Sequence, residues 1–336
     1  GAGGAQTREE LHNLGFDDSR IRWISQPHIP THELFEAMGG DPITEAAVRK
    51  ACAKALTRIG NEELWLFNDS ISGEIDIEAL DIHNHVKAYL LKAWRNRVLI
   101  PQGDGTYYPS WTYWDTRAFP TLSESERRNL EAMIQQKRAE SEQLWEDQGR
   151  KLLSTFVQAT DMIPCAEDLG AIPDCVPKVL QELGILGLKI VRWTRRWGAW
   201  GEPYIPFAEY PELSVCTPAV HDTSTVRQWW ENEADREQFR QFINVPYMND
   251  RYTPETAEIL LSHIIEAASR FCIFQIQDLL HLSPRWYAEK AEDERVNVPG
   301  SVNDFNWTYR LPSTLEDIQT DQMFISACKK LTAKRK

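Results

Sequence analysis

Four short apolar runs in the second half of this 336-residue chain each lead into polar or charged side chains. The runs cover residues 162–166, 186–191, 213–217 and 271–276. The side chains that follow them are Glu167 and Asp168, Arg192 and Trp193, His221 and Asp222, and Gln277 and Asp278. Sites of parallel β/α folds lie at the carboxyl ends of strands, so these eight residues are the candidate site. Several carboxylates near aromatic residues suit the binding of sugars and chemistry at glycosidic bonds.

Each of these residues also has an ordinary structural explanation when it is taken alone. Asp168 or Asp222 is then the cap of a following helix. Glu167 is a paired structural carboxylate, and His221 is a hydrogen-bonded structural histidine. Four strands that all end in this way favour a functional site over separate structural roles.

Tryptophan is unusually abundant, since 13 Trp exceed 12 Phe and 10 Tyr. Indole faces stack on pyranose rings, so tryptophans near the candidate site are predicted to bind sugar. Six lie within or just after the strand-end motifs: Trp193, Trp197, Trp200, Trp229, Trp230 and Trp307. Packing in the core or on the surface is the alternative for each of them.

Short apolar runs alternate with helical segments after residue 160, which predicts parallel β/α units. The helical candidates are 173–184, 226–242 and 254–270. Four strands are too few for an eight-stranded barrel. The first 120 residues predict a mostly helical region, with a helix over 72–96 and a hairpin of 98–100 with 106–108. Residues 123–158 are charged and predict one long helix or a broken pair.

The formal charge of −13 comes from 37 Lys and Arg against 50 Asp and Glu. This acidity disfavours nucleic acid and anionic membranes as partners. Five basic residues at the C-terminus are interpreted as a solvated tail: Lys329, Lys330, Lys334, Arg335 and Lys336. No apolar run reaches the roughly 18 residues of a membrane span. The six cysteines form no C-x2-C pair, which predicts reduced thiols in a cytoplasmic protein without a metal site.

Several stretches, in a fixed order, resemble one enzyme family. They are 166–173 with 183–190, 221–225 with Trp229 and Trp230, 277–280, 295–300, and Asn306, Trp307 and Arg310. The ordered set closely resembles the 4-α-glucanotransferases, also called amylomaltases or disproportionating enzymes, of glycoside hydrolase family 77. The resemblance covers nearly the whole chain, and the N-terminal portion looks like the longer, insert-bearing branch of that family.

The resemblance implies an α/β fold, namely a partial (β/α)8 TIM-type barrel of strands five to eight with an inserted, mainly helical region. Residues 1–122 are then the insert region of the catalytic domain, and residues 123–336 are the C-terminal half of the barrel. An α-1,4-glucan or maltooligosaccharide is the implied substrate, and the family needs no cofactor.

The resemblance also implies roles for individual residues. Glu167 is the acid/base that protonates the leaving glucan oxygen. Asp222 is a further catalytic carboxylate, which binds ring hydroxyls and stabilises positive charge, and His221 binds the same sugar. Arg192 keeps the nucleophile ionised. The other expected substrate-binding residues are Asp168, Trp193, Gln277, Asp278, Asn306 and Trp307.

The nucleophile of the family is an Asp within an R-x-D-H motif, which occurs nowhere in the 336 residues. The nearest sequence, Asp81-Ile82-His83, lies on a predicted helix and lacks the preceding Arg. We therefore expect the chain to begin just after the fourth barrel strand and to be inactive alone. Its expected partner is the missing N-terminal half of its own domain, or a second copy. The alternatives are an α-glucan hydrolase of the amylase clan and a non-catalytic glucan-binding fragment.

Overall fold

The computed structural model describes residues 4–37, 39, 46, 50, 52–59, 63–168, 170 and 172–335. The chain divides into two compact units, Gly1–Trp145 and Glu146–Lys336. The division falls within helix Glu124–Ala159, whereas the predicted boundary between residues 122 and 123 lies just before this helix. Each unit has its own buried core.

The N-terminal unit contains two antiparallel sheets of three strands each. Its strands are β1 (Gln6–Thr7), β2 (His28–Pro30), β3 (Leu56–Arg58), β4 (Leu64–Phe67), β5 (Leu99–Pro101) and β6 (Thr106–Pro109). One sheet has the order β1-β6-β5 and the other β2-β4-β3. Strands β5 and β6 are the predicted hairpin, in which Ile100 pairs with Tyr108. Gly103 and Gly105 in its turn have positive φ, which glycine adopts at little cost.

The helices of this unit lie between its strands. They are α1 (Arg8–Asn13), α2 (Asp18–Ser25), α3 (Thr31–Ala37), α4 (Glu74–Glu78) and α5 (Asn84–Arg95). The prediction of one helix over 72–96 is wrong, because the chain leaves the helical path between α4 and α5. Lys87 Nζ donates to the Glu78 carbonyl at 2.7 Å, which satisfies an orphan carbonyl at the end of α4.

Helix α6 (Glu124–Ala159) is unbroken over its 36 residues, which confirms a single long helix for the charged segment. Ser123 and Glu126 form reciprocal bonds at its start, with Ser123 N donating to Glu126 Oε2 at 2.6 Å and Glu126 N to Ser123 Oγ at 3.2 Å. Only Leu130 and Ile134 of this helix are fully buried. Despite its length, neither it nor any other helix of the described residues is apolar enough to cross a membrane.

The C-terminal unit is built on one parallel sheet of four strands. They are β7 (Cys165–Ala166), β8 (Leu186–Ile190), β9 (Ser214–Thr217) and β10 (Phe271–Cys272). All neighbours pair in parallel and in chain order, with Cys165 opposite Leu186, Gly187 opposite Ser214 and Phe271 opposite Val215. The predicted parallel α/β sheet is therefore confirmed. Its closure into a barrel stays a prediction.

Helices connect and follow these strands. They are α7 (Cys175–Glu182), α8 (Val226–Gln228), α9 (Arg236–Ile243), α10 (Pro254–Ile264), α11 (Ile276–Leu280), α12 (Leu315–Thr320) and α13 (Gln322–Thr332). The predicted helix over 226–242 is wrong as one element, because α8 continues into a π-helical turn and α9 begins separately. Asp235 starts α9 by accepting from Gln238 N at 3.0 Å. Strand β10 is also shorter than predicted, since α11 already begins at Ile276.

The core of the C-terminal unit is aromatic. Trp230 and Phe239 are completely buried, and Trp230 Nε1 donates to the Asn249 carbonyl at 3.0 Å. Trp229 is 7% exposed and contacts Phe239 edge-on, with ring centroids 5.2 Å apart. The prediction of sugar stacking is therefore wrong for Trp229 and Trp230, which pack in the core.

Candidate functional site

The predicted site residues follow the carboxyl ends of the four parallel strands, which all lie at the same edge of the sheet. Glu167 follows β7, Arg192 follows β8, and Asp222 lies five residues after the end of β9. Strand β8 separates the strands that lead to Glu167 and Asp222. The sheet thus positions these side chains through the ends of its strands and the loops that follow.

Asp222 belongs to an accessible group of four polar and aromatic side chains. Asn297 Nδ2 donates to Asp222 Oδ1 at 2.7 Å, and His221 Nε2 lies 3.4 Å from the same oxygen. The His221 ring contacts the Trp307 indole, with centroids 5.2 Å apart. We call His221, Asp222, Asn297 and Trp307 the open cluster. It combines a half-exposed carboxylate with an imidazole, an amide and an indole.

Two loops come together in the open cluster. Asn297 N donates to the His221 carbonyl at 3.2 Å, and Trp307 N donates to the Val296 carbonyl at 2.8 Å. Trp307 has a φ of +67°, a left-handed conformation that is uncommon outside glycine. Asn306 supports the second loop, since its Oδ1 accepts from Val298 N at 3.0 Å. The backbone therefore fixes the open cluster, and Asn306 acts within this loop.

Asp168 joins the ends of β7 and β8. Its buried carboxylate accepts from Leu188 N at 2.6 Å and from Lys189 Nζ at 2.9 Å. Gly187 makes room for it, because a Cβ at that position would lie 2.9 Å from Asp168 Oδ2. Glu167, the preceding residue, is exposed. Asp168 thus fixes the backbone that carries Glu167. The neighbouring motif residues Leu169 and Ala171 lie outside the described residues.

Arg192 is buried and holds the segment that follows Asp222. Its Nη1 donates to Ser224 Oγ at 2.5 Å and its Nη2 to the Ser224 carbonyl at 2.8 Å. Burial lowers the pKa of Arg192 to about 10, with Glu233 partly opposing that change. The guanidinium therefore stays charged at neutral pH. Trp193, the next residue, is 45% exposed.

Gln277 and Asp278 lie in the interior. Asp278 Oδ1 accepts from Val226 N at 3.0 Å, at the first residue of α8. Its Oδ2 is buried and has no hydrogen-bond partner among the described residues. Burial raises the pKa of Asp278 to about 6. Gln277 Nε2 donates to the Glu294 carbonyl at 3.2 Å.

Glu294 completes this interior set. Its Oε1 accepts from Arg227 Nη1 at 2.8 Å and from Ala288 N at 3.0 Å, and lies 3.0 Å from His281 Nε2. Burial by itself raises its pKa, but the bond with His281 and the Arg227 charge bring the pKa below its usual value. We call the buried charged and polar residues the buried polar layer: Arg192, Ser224, Arg227, Gln277, Asp278, His281 and Glu294.

Sequence reasoning named the motifs but missed three residues of this arrangement. Asn297 lies within the quoted segment 295–300 and Ser224 within 221–225, yet neither was assigned a role. Glu294 immediately precedes that first motif, in an acidic stretch typical of an exposed loop. Position within a motif was the available signal for Asn297 and Ser224, whereas no sequence signal indicated Glu294.

Metal ligation finds no support in the part of the chain that the structure describes. No group of three or more His, Cys, Asp or Glu side chains there is arranged to hold a metal ion. The chemistry that the site offers is that of carboxylates, an imidazole and indoles at one edge of a parallel sheet.

Comparison with known proteins identifies the family. Residues 55–316 match the family model described as 4-alpha-glucanotransferase. The chain is 33% identical over 262 residues to 4-alpha-glucanotransferase DPE2 of Oryza sativa subsp. japonica, covering 75% of this chain and 27% of that protein. It is 39% identical over 179 residues to the 4-alpha-glucanotransferase of Chlamydia pneumoniae, covering 53% and 34%.

Among solved structures, an amylomaltase from Streptococcus agalactiae in complex with acarbose matches with a TM-score of 0.38 and 24% identity. That match covers 50% of this chain and 30% of the amylomaltase. The chain spans about a quarter to a third of the length of the curated relatives named above. The family model, in contrast, covers most of the chain. This chain belongs to the 4-alpha-glucanotransferase family.

Proposed function

We propose that this chain is the C-terminal part of a 4-α-glucanotransferase catalytic domain, which moves α-1,4-glucan segments between maltooligosaccharides. The observation that carries the proposal is the Asp222 carboxylate, held by Asn297 at 2.7 Å beside His221 and an exposed Trp307. A half-exposed carboxylate next to an indole suits a polar ring that stacks on one face and hydrogen-bonds at its edge.

The proposed reaction is a double displacement that retains the anomeric configuration. A nucleophilic Asp attacks the anomeric carbon while Glu167 donates its proton to the departing glucan oxygen, so a glycosyl–enzyme ester forms as the glycosidic bond breaks. Glu167 then takes the proton of an acceptor 4-hydroxyl, whose oxygen displaces the ester. Asp222 binds ring hydroxyls and stabilises the positive charge of both transition states.

The nucleophile in this proposal comes from a segment outside the 336 residues, because they contain no R-x-D-H motif. Exposed apolar side chains beside both edge strands support completion of the sheet by further strands: Met162 and Ile163 near β7, and Phe271 and Ile273 near β10. Edge strands offer unpaired backbone groups to such a partner. The proposed partner is the N-terminal half of a family barrel, and the alternative is a second copy of this chain.

Reconstitution with maltotriose tests the proposal. The chain alone is expected to form no product. After mixing with a polypeptide that carries the R-x-D-H half of a family barrel, glucose and longer dextrins are expected at a constant number of reducing ends. Glu167→Gln in the mixture is expected to abolish this transfer, since the leaving oxygen then receives no proton.

Three results would contradict the proposal in different ways. Disproportionation by the chain alone would overturn the missing nucleophile. A rising number of reducing ends would indicate hydrolysis instead of transfer. Glucan binding without product in the reconstituted mixture would indicate a non-catalytic binding fragment.

A further inference from the structure

The loop after β8 presents two tryptophans that the proposed mechanism does not use. Trp197 is 60% exposed and Trp200 is 100% exposed, and both lie between Arg195 and Tyr204, which form an isolated antiparallel bridge. An indole is a large apolar surface that usually contributes by being covered. Complete exposure of Trp200 in an ordered loop therefore points to a binding role.

The loop is braced by one side chain of α9. Arg195 Nη1 donates to Gln238 Oε1 at 2.7 Å, and Gln238 Nε2 donates to the Gly201 carbonyl at 2.7 Å. The Arg195 guanidinium also lies 3.8 Å from the centre of the Tyr204 ring. Gln238 thus ties both sides of the loop together, so the exposed indoles stand on a preorganised support. Preorganisation lowers the entropic cost of binding.

Trp197 is linked directly to the candidate site. Its Nε1 donates to the Trp193 carbonyl at 3.1 Å, which fixes the indole relative to the residue that directly follows the β8 turn. Trp193 is itself an expected substrate-binding residue. The exposed aromatic surface therefore continues from the carboxyl edge of the sheet along this loop.

Both arginines of the loop have partners within the C-terminal unit. Arg196 pairs with Glu209 at 2.5 Å, and Arg195 contacts Gln238 and Tyr204. These pairs leave the two indoles as a surface without a committed cation for an anionic ligand. A neutral polyol with apolar C–H faces fits that surface better than a phosphate or a carboxylate does.

We propose that Trp197 and Trp200 form an outlying stacking platform for an α-glucan chain, so that the protein favours long glucans over short ones. The inference rests on the proposed function, because it assumes that a glucan occupies the neighbouring site. A short oligosaccharide occupies only that site, whereas a longer chain also reaches the platform.

Calorimetric titration of the full chain with maltotriose and maltoheptaose tests the platform. The parent chain is expected to bind maltoheptaose about tenfold more tightly, which is about 1.4 kcal/mol. Trp200→Ala and Trp197→Ala are each expected to weaken maltoheptaose binding roughly five- to tenfold and maltotriose binding less than about twofold. The matched control is Trp111→Ala, at a tryptophan that is 62% exposed in the N-terminal unit, which is expected to bind both ligands like the parent.

Unchanged maltoheptaose affinity in both platform variants would overturn the inference, as would a parent chain that does not bind maltoheptaose. Equal losses for both ligands would also overturn it, because the loop would then only support the neighbouring site. A parent dimer that Trp200→Ala converts to monomers would assign the platform to a protein interface instead. The transfer assay on the reconstituted mixture reports the proposed function separately, so failure of the platform leaves that assay unaffected.

Discussion

The open cluster and the buried polar layer lie next to each other in the C-terminal unit but use the same residue types differently. In the open cluster the Asp222 carboxylate has one amide donor and remains half exposed. In the buried polar layer the Glu294 carboxylate has Arg227, His281 and a backbone amide around one oxygen. Exposed charge is available to a ligand, whereas buried charge is already committed to the protein.

The two regions are mechanically connected. Arg192 binds Ser224, two residues after Asp222, and Asp278 binds the backbone of Val226. Glu294 lies three residues before Asn297, whose side chain holds Asp222. The buried layer therefore fixes both loops that meet in the open cluster. It follows that substitutions in the buried layer alter stability first, and those in the open cluster alter chemistry first.

Glu294→Ala tests the largest expected effect. It leaves Arg227 and His281 buried without their carboxylate, so we expect a loss of about 3–5 kcal/mol in the free energy of unfolding. Urea denaturation measures it. Glu292→Ala is the matched control, since that exposed neighbour is expected to change stability by less than about 0.5 kcal/mol. Equal stability of the two variants would remove the distinction between the regions.

Asp222→Asn tests the other region. Asn keeps an acceptor for Asn297 but loses the negative charge, so transfer by the reconstituted mixture is expected to fall roughly 10²–10³-fold. The unfolding free energy of the chain is expected to stay within about 0.5 kcal/mol, because the side chain is half exposed. A large loss of stability in this variant would assign Asp222 to the structural layer instead.

Asp278→Asn tests the pH dependence of the buried layer. The raised pKa of about 6 means that, between an ordinary value near 3.8 and about 6, the folded chain holds a proton that the unfolded chain has released. Stability from Asp278 is therefore fully present below about pH 4 and is lost as the pH rises through 6, by up to about 3 kcal/mol. Asn keeps the bond to Val226 N and cannot ionise. The difference in unfolding free energy between variant and parent should grow in the variant's favour from pH 4 to 7. A constant difference would contradict a buried, titrating Asp278.

Local patterns predicted the elements that local patterns determine. Strands β8 and β9 and helix α7 follow from short apolar runs and a helical period, and the β5–β6 hairpin follows from its turn. The break between α4 and α5 involves a lysine side chain from the next helix, and the start of α9 involves a local cap at Asp235. Neither break has an apolar signature, so hydrophobic periodicity missed both.

The site residues were predicted by type and motif, but their burial was not. Asp222 and Asp278 both follow parallel strands, and both were expected to face substrate. The short β10 leads quickly into α11, and Asp278 therefore lies inside, against the start of α8. Glu294 depends on Arg227 and His281, residues that the sequence places 67 and 13 positions away. Such long-range partners require the three-dimensional structure.

Ser224→Ala gives the smallest expected effect and tests the connection between the regions. Arg192 loses the bond to Ser224 Oγ but keeps the bond to the Ser224 carbonyl at 2.8 Å. We therefore expect a loss of about 1 kcal/mol in the unfolding free energy, measured by urea denaturation. If Arg192 positions the loop of Asp222, transfer by the reconstituted mixture should fall several-fold as well, because the loop gains freedom. Ser224→Thr keeps the hydroxyl and is expected to restore most of both. A variant that loses stability but transfers at the parent rate would show that the two regions are neighbours without mechanical coupling.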